Sequence, residues 1–439
     1  MWSRLRPFTS FTPGTRMARA RASRSTIPAA LLVASVTVGA AACSGTESGA
    51  TNPATPAADA AAWSPRVESV PSPSGPDSSA PQVTVSAKGV IVSWVEQPPA
   101  VRTSTLKFAQ RTASGWSAPV TAATGQDWFV SYADPPTVMR LSDGTLVASW
   151  LLVTDLATEG SDLQMSYSTD EGKTWSKSFL PHHDGTKTSH AFASFVELPG
   201  RALGVVWLDG RGQEMGLRYT TFDAAWAQTD DIAVDAKACE CCGTSAAVTA
   251  DGVLAVFRDR SDTEIRDIAV TRLERGAWTP AVPVHADGWQ VDYCPINGPM
   301  VSARGSQAAV AWFTVKNDLG QAYAAFSNDS GRTWGAPVRL DERGSTGRVD
   351  VDLLDDGSAV ATWVEVADGR GELRMRRIQP SGLTSPAMAV AGVPGSSSSG
   401  YPRFARQGNE LVFAWTESAV PAGGSEGALS VHTAVARLP

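Results

Sequence analysis

From residue 63 onward the chain is built of short apolar runs broken by glycine, proline and polar turns, and the runs recur with a long period. One class of run ends in an aromatic residue: IVSW at Trp94, LVASW at Trp150, GVVW at Trp207, then Phe257, Trp312, Trp363 and FAW at Trp415. A second class begins with one, at Trp63, Trp116, Trp175, Trp226, Trp278 and Trp334, with Leu383 at the next position of the column; successive members lie 49 to 59 residues apart. Twelve of the fifteen tryptophans fall in these two columns, so the repeat organises the whole region. Units of this length made of short strands predict propeller blades, because one four-stranded sheet cannot bury both faces alone and must stack on neighbours around an axis.

Each unit reads as inner strand, second strand ending in the aromatic, third strand, turn, and outer strand beginning with tryptophan. The seventh unit stops short, since after FAW it supplies one more strand near Leu429–Val435 and the chain ends at Pro439. Trp63-Ser64-Pro65-Arg66-Val67 carries the outer-strand signature yet precedes the first inner strand. The expectation is an all-β, seven-bladed propeller whose N-terminal strand completes the last blade and latches the ring, removing exposed sheet edges. Six blades is the alternative count.

The segment before residue 43 has an arginine-rich start and an apolar stretch from Ile27 to Ala42. It predicts an export signal over residues 1–42, beginning at Met1 or at Met17, too short and too rich in small residues for a permanent transmembrane helix. The run Gly39-Ala40-Ala41-Ala42-Cys43 resembles a bacterial lipoprotein signal, which implies lipidation at Cys43, with Ala40 where leucine is usual. Residues 43–62, rich in Ser, Thr, Gly, Pro and Ala, predict a flexible tether, leaving residues 63–439 as one domain. The expected location is the bacterial cell envelope, held by a lipid anchor alone. Without its six leader arginines the chain has 31 basic against 44 acidic residues, a formal charge of −13, which argues against nucleic acid as a partner.

Two turns match S-x-D-x-G-x-T-W: Ser168 to Trp175, containing Asp170 and Gly172, and Ser327 to Trp334, containing Asp329 and Gly331. An aspartate accepting backbone N–H bonds, a glycine in a conformation other residues resist, and a tryptophan packed into the blade make a tight turn between third and outer strands. This is the Asp-box, or BNR repeat, and the chain resembles the sialidase-like propeller superfamily over nearly all of its exported length. The resemblance implies that these turns are structural and lie on the face opposite the active site. It further implies an arginine trio for a sugar carboxylate, a tyrosine paired with glutamate as nucleophile, and an aspartate acid/base. The chain departs from that pattern with Pro81-Gln82-Val83-Thr84 where Phe/Tyr-Arg-Ile-Pro is usual, and with seven blades in place of six.

In an up-and-down blade, the connections from an outer strand to the next inner strand share a face with those joining second to third strands. Three consecutive connections on that face hold His182-His183-Asp184 with His190, then Cys239-Glu240-Cys241-Cys242, then Trp289 to Pro299 with Cys294. The four cysteines predict either two disulfides, favoured by export and by the even count, or a thiolate site for a soft metal such as copper, joined by His190 or His182. Trp128 with Tyr132 and Trp289 with Tyr293 form a repeated pair that either plugs the channel or stacks on a ligand. Arg258, Arg348 and Arg403 are the candidate carboxylate clamp, with Tyr401 as nucleophile and Asp134 or Asp292 as acid/base. The opposing reading is ion pairing, because acidic residues follow the strand-ending aromatic by two positions at Glu96, Asp209, Asp259, Glu365 and Glu417. The expected protein is an extracytoplasmic binding or assembly module, a monomeric domain for a glycan, metal or protein ligand; the alternative is an exo-sialidase-like hydrolase.

Overall fold

The computed structural model describes residues 63–367, 370–395, 400–418 and 428–439. Residues 1–62, where the sequence predicts an export signal, lipidation at Cys43 and a tether, lie outside the described residues. Seven antiparallel sheets follow one another along the chain, and a 3-10 turn at Pro199–Arg201 is the helical element among the described residues. Each sheet runs from an inner strand outward. The inner strands are Ser78–Ser86, Thr137–Arg140, His190–Leu198, Ser245–Thr249, Met300–Arg304, Gly347–Leu353 and Arg403–Gln407, in blades 1 to 7. Blade 2 keeps three strands, its outer edge reduced to a single bridge between Met165 and Phe179.

The last blade is closed by the N-terminal strand Val67–Val70, which pairs antiparallel with Leu429–Arg437 in the register Val67 with Ala436 through Val70 with Thr433. The seven-bladed, N-terminally latched propeller expected from the two tryptophan columns is thus the fold.

The columns divide the packing between them. Trp94, Trp207, Trp312 and Trp363 are fully buried in the clusters that join adjacent blades. Their indole N–H groups cannot be left without acceptors in such a place. Trp94 donates to Glu96 (3.0 Å), Trp207 to Asp209 (2.8 Å), Trp363 to Glu365 (2.9 Å) and Trp415 to Glu417 (2.9 Å), while Trp312 reaches Asp287 (2.8 Å). At the first four of these tryptophans the acidic residue two positions on accepts the indole N–H and also pairs with a cation: Lys107 at Glu96, Arg211 at Asp209, Arg343 and Arg374 at Glu365, and His432 beside Glu417. Outer-column tryptophans pack against the preceding blade: Trp116 on blade 7, Trp175 on blade 1, Trp278 on blade 3 and Trp334 on blade 4. Trp63 follows the same rule, buried between blades 6 and 7. Leu383 does not, being 38% exposed.

Both S-x-D-x-G-x-T-W turns join third strand to outer edge. Asp170 accepts the Thr174 N–H (2.9 Å) and hydroxyl (2.7 Å), and Ser168 Oγ accepts the Gly172 N–H (2.9 Å). Asp329, Thr333, Ser327 and Gly331 repeat the pattern. The bonds from Thr174 hold the Asp170 carboxyl down at about 2. Gly172 and Gly331 have φ of 83° and 80°.

Candidate functional site

Inner strands of blades 1, 3 and 6 each begin with a bulge whose middle residue has positive φ: Ala80 (52°), Phe192 (58°) and Arg348 (56°). A bulge inserts an extra residue and re-aims a side chain, and a non-glycine residue held there must be secured by its surroundings. The securing groups come from preceding loops. Asp134 Oδ2 accepts the Phe192 N–H at 2.6 Å, and Asn297 Oδ1 accepts the Arg348 N–H at 2.9 Å. The Asn297 amide is itself fixed to the carbonyls of Pro295 and Thr346.

The Phe192 and Arg348 bulges border a compact group on the axial side of the inner strands. Tyr132 stacks on Tyr401 with ring centroids 6.2 Å apart, and the Arg403 guanidinium lies over the Tyr401 ring at 5.3 Å. Tyr401 is buried and its hydroxyl donates to the carbonyl of Ile296. Arg403 donates through Nη1 to the Met300 thioether at 3.1 Å, and its buried Nε has no hydrogen-bond partner among the described residues. Burial pushes the Asp134 carboxyl up to about 7 against the pull of the Phe192 N–H and Arg403. Burial likewise raises Asp350 to about 6, opposed by Arg403 and by the N–H groups of Phe404 and Val351. Arg348, Tyr132, Asp134 and Arg403 are half-buried, so the group opens to solvent on one side.

Of the candidate clamp and catalytic residues, the structure brings Arg348, Arg403, Tyr401 and Asp134 together. Arg258 is elsewhere, 1% exposed, donating to the carbonyls of Asn297 (2.9 and 2.8 Å), Arg266 (2.6 Å) and Phe313 (2.7 Å) and covering the Trp289 ring at 4.9 Å. With its donors spent on backbone it ties two loops, at Arg266 and Asn297, to the strand Gln307–Lys316. Asp292 is exposed on the loop before Cys294. Trp289 is buried against Phe313, and Trp128 stacks on Trp150 at 5.3 Å, so both serve the packing; Tyr132 lines the axial group and Tyr293 is 55% exposed.

The cysteines do converge. Gly298 passes so near Gly243 that a Cβ on it would lie 2.1 Å from the Gly243 carbonyl oxygen, and this approach joins the two cysteine loops. Cys241 is bonded to Cys294, while Cys239 and Cys242 are buried thiols 3.3 Å apart: one disulfide, where the sequence left two disulfides or a thiolate metal site as the alternatives. Arg266 Nη1 donates to Cys239 Sγ at 3.2 Å, and the Asn297 N–H to Cys242 Sγ at 3.3 Å. The Cys242 thiol, followed by Arg258 and Arg266, holds Cys239 below the ordinary thiol range against its burial, whereas burial pushes Cys242 up. The sulfur atoms of Cys239, Cys241 and Cys242 lie within 4.8 Å of one another, but Cys241 is held in the disulfide, so a soft metal would have all three as thiolates only after that bond is reduced.

His190 belongs to a different group. It is fully buried and stacked on His182 with centroids 3.6 Å apart; its Nδ1 faces the Ser161 carbonyl (2.9 Å) and its Nε2 faces Asp184 (3.1 Å) and Asp209 (3.7 Å). His182 Nε2 lies 3.8 Å from Asp162, too far for a hydrogen bond, and burial lowers that imidazole to about 4. Asp162 with both histidines, or Asp184 and Asp209 with His190 alone, would form a cation site, although Arg211 already pairs with Asp209 at 2.7 Å. His182, Asp184 and His190 stand out in sequence as one loop and the strand after it, whereas Asp162, inside the strand Gly160–Ser168, does not.

No protein-family model and no curated protein sequence matches the chain. Among solved structures, an ulvan lyase of polysaccharide lyase family PL25 is 10% identical, with 83% of this chain and 93% of that one covered and a TM-score of 0.52. The polysaccharide lyase Uly1 is also 10% identical, with 82% and 90% covered and a TM-score of 0.51. A mutant of the NanB sialidase from Streptococcus pneumoniae is 9% identical, with 80% and 84% covered and a TM-score of 0.45. At these identities the likeness is one of fold.

Proposed function

We propose that the protein is an exported, envelope-anchored propeller that binds a carboxylate-bearing glycan at the axial group. The observation that carries this reading is Arg403, whose buried Nε lacks a partner among the described residues and whose Nη1 meets a thioether. A guanidinium left so poorly satisfied beside an opening suits a planar carboxylate, which takes two parallel N–H bonds. Tyr132 and Tyr401 supply a stacked aromatic wall for the sugar ring. The fold itself carries carbohydrate chemistry in the two polysaccharide lyases. The anchor on Cys43 rests on the signal preceding it.

A second reading, hydrolysis of a terminal sialic acid, is favoured by Asp134, whose carboxyl at about 7 keeps a proton available near neutrality. In that reading Asp134 donates to the leaving oxygen and the arginines hold the sugar carboxylate. Tyr401 donates its hydroxyl to a backbone carbonyl and has, among the described residues, no carboxylate partner that would activate it as a nucleophile.

Titration calorimetry against sialylated and uronate oligosaccharides tests both. Arg403→Met should weaken binding about tenfold or more, the usual cost of losing a charge-assisted hydrogen bond. Turnover of a fluorogenic sialoside that disappears in Asp134→Asn selects the hydrolase; binding without turnover selects the binding module. Failure of every acidic glycan to bind would end both readings.

A further inference from the structure

Cys239, Glu240, Cys241 and Cys242 place a C-x-x-C pair around a cysteine that is already in a disulfide. The Cys239 and Cys242 sulfurs are 3.3 Å apart, and Cys239 Sγ is 3.7 Å from Cys241 Sγ, one end of the Cys241–Cys294 bond. The two thiols are buried at 0% and 1% exposure, whereas Cys241 and Cys294 are half-buried at the mouth. A reduced pair thus lies in contact with an oxidised pair, the first hidden and the second reachable. The hidden pair is also set in a positive surrounding: Arg266 donates to the Cys239 sulfur, and Asn297 donates its N–H to the Cys242 sulfur. Thiolates form and attack best in such places.

We propose that this cluster is a thiol–disulfide relay, in which the buried Cys239–Cys242 pair stores two electrons and passes them through Cys241 and Cys294 to a disulfide of a partner molecule. In the first step Cys239 loses its proton and its thiolate attacks Cys241 Sγ; the Cys241–Cys294 bond breaks, and Cys294 leaves as a thiolate that takes up a proton. In the second, Cys242 loses its proton and attacks Cys239 Sγ, releasing Cys241, which takes up that proton. The outcome is a Cys239–Cys242 disulfide and a Cys241/Cys294 dithiol, with no external oxidant consumed. The dithiol at the mouth then reduces the partner's disulfide by the same exchange, leaving both cysteine pairs of this chain oxidised and the partner as two thiols. Arg266 is a positioning residue here: it stabilises the attacking thiolate, with Glu240 (3.4 Å) on its other side limiting how firmly it does so.

The test begins with the exported chain brought to the state with one disulfide and two thiols per cluster by stoichiometric dithiothreitol, then acid-quenched, alkylated and mapped by mass spectrometry. The relay predicts both isomers, Cys241–Cys294 and Cys239–Cys242, interconverting at neutral pH. With oxidised glutathione as the probe disulfide, it predicts glutathione adducts first on Cys294 or Cys241. Arg266→Met should slow the interconversion about tenfold at pH 7 and move its pH midpoint upward, and Arg266→Lys should restore much of the rate. A single isomer at every time and pH, adducts forming on Cys239 with the Cys241–Cys294 bond intact, or a rate unaffected by Arg266→Met in a folded variant would each overturn the proposal. So would a copper-sized increment in the native mass with all four cysteines reduced.

Discussion

At the scale of single residues, charge placement decides what the axial group can do. Asp134 sits where burial outweighs both a 2.6 Å N–H bond and a nearby arginine, so its carboxyl titrates at about 7 rather than near 3.8. Because the folded chain holds this proton more tightly than the unfolded one, the contribution is fully present below pH 4 and is lost as pH rises through 7. Asp134→Asn keeps an acceptor for the Phe192 N–H and removes the titration. Relative to the variant, the parent should lose melting temperature between pH 4 and 7 and level off above it; parallel pH profiles for the two would contradict the assignment. Arg403, Asp134 and Tyr401 were legible as candidates because strand starts and inter-blade loops could be counted from the tryptophan columns. Asp350 and Asn297 were not singled out, since nothing in a sequence shows which carboxylate is deprived of water or which amide supports a bulge. Arg258 shows the converse: it is prominent in sequence beside a strand-ending aromatic, yet its donors are consumed by backbone carbonyls.

At the scale of the element, the S-x-D-x-G-x-T-W turn was the most readable unit because each of its positions has a local job. Its glycine also has a distant one that the motif does not display. A Cβ on Gly331 would lie 2.4 Å from Leu254 Cδ1, on the second strand of the preceding blade, and a Cβ on Gly172 would meet Phe108 and Val120 of blade 1 at 3.0 Å. The turn is thus a contact between blades as well as a hairpin. Gly331→Ala combines an unfavourable positive φ with that collision, and should cost about 1–3 kcal/mol in urea unfolding. Ala substituted at exposed Gly382, where φ is 88° and no atom lies within 4 Å of the added Cβ, should cost the backbone part alone. Equal losses at the two sites would show that the inter-blade contact contributes nothing. The cysteine loops were readable only in part for a related reason. Their spacing announces chemistry, but the pairing depends on Gly243 and Gly298 bringing two loops of different connections into contact.

At the scale of the whole molecule, a ring of sheets is as stable as its weakest junction, because each blade buries one face on each neighbour. Blade 7 is where the first and last described strands meet: the latch strand Val67–Val70 supplies its outer edge, while Trp63 fills the groove between blades 6 and 7. Residues 63–70 thus do two things with one short segment, covering the open edge of Leu429–Arg437 and plugging an inter-blade cluster that includes Phe404, Phe413 and Trp415. Removing them leaves an unpaired strand edge, which invites pairing with another chain, and a cavity of indole size. A chain begun at Pro71 should therefore lose several degrees of melting temperature and associate as its concentration rises, by light scattering or size-exclusion chromatography. Trp63→Ala isolates the cavity, since the strand pairing of residues 67–70 is retained; its expected cost is about 3–5 kcal/mol without association. If the shortened chain stays monomeric and melts with the parent, blade 7 is held by its other three strands and the latch is ornamental. If Trp63→Ala alone reproduces the whole loss, plugging the junction matters and covering the edge does not.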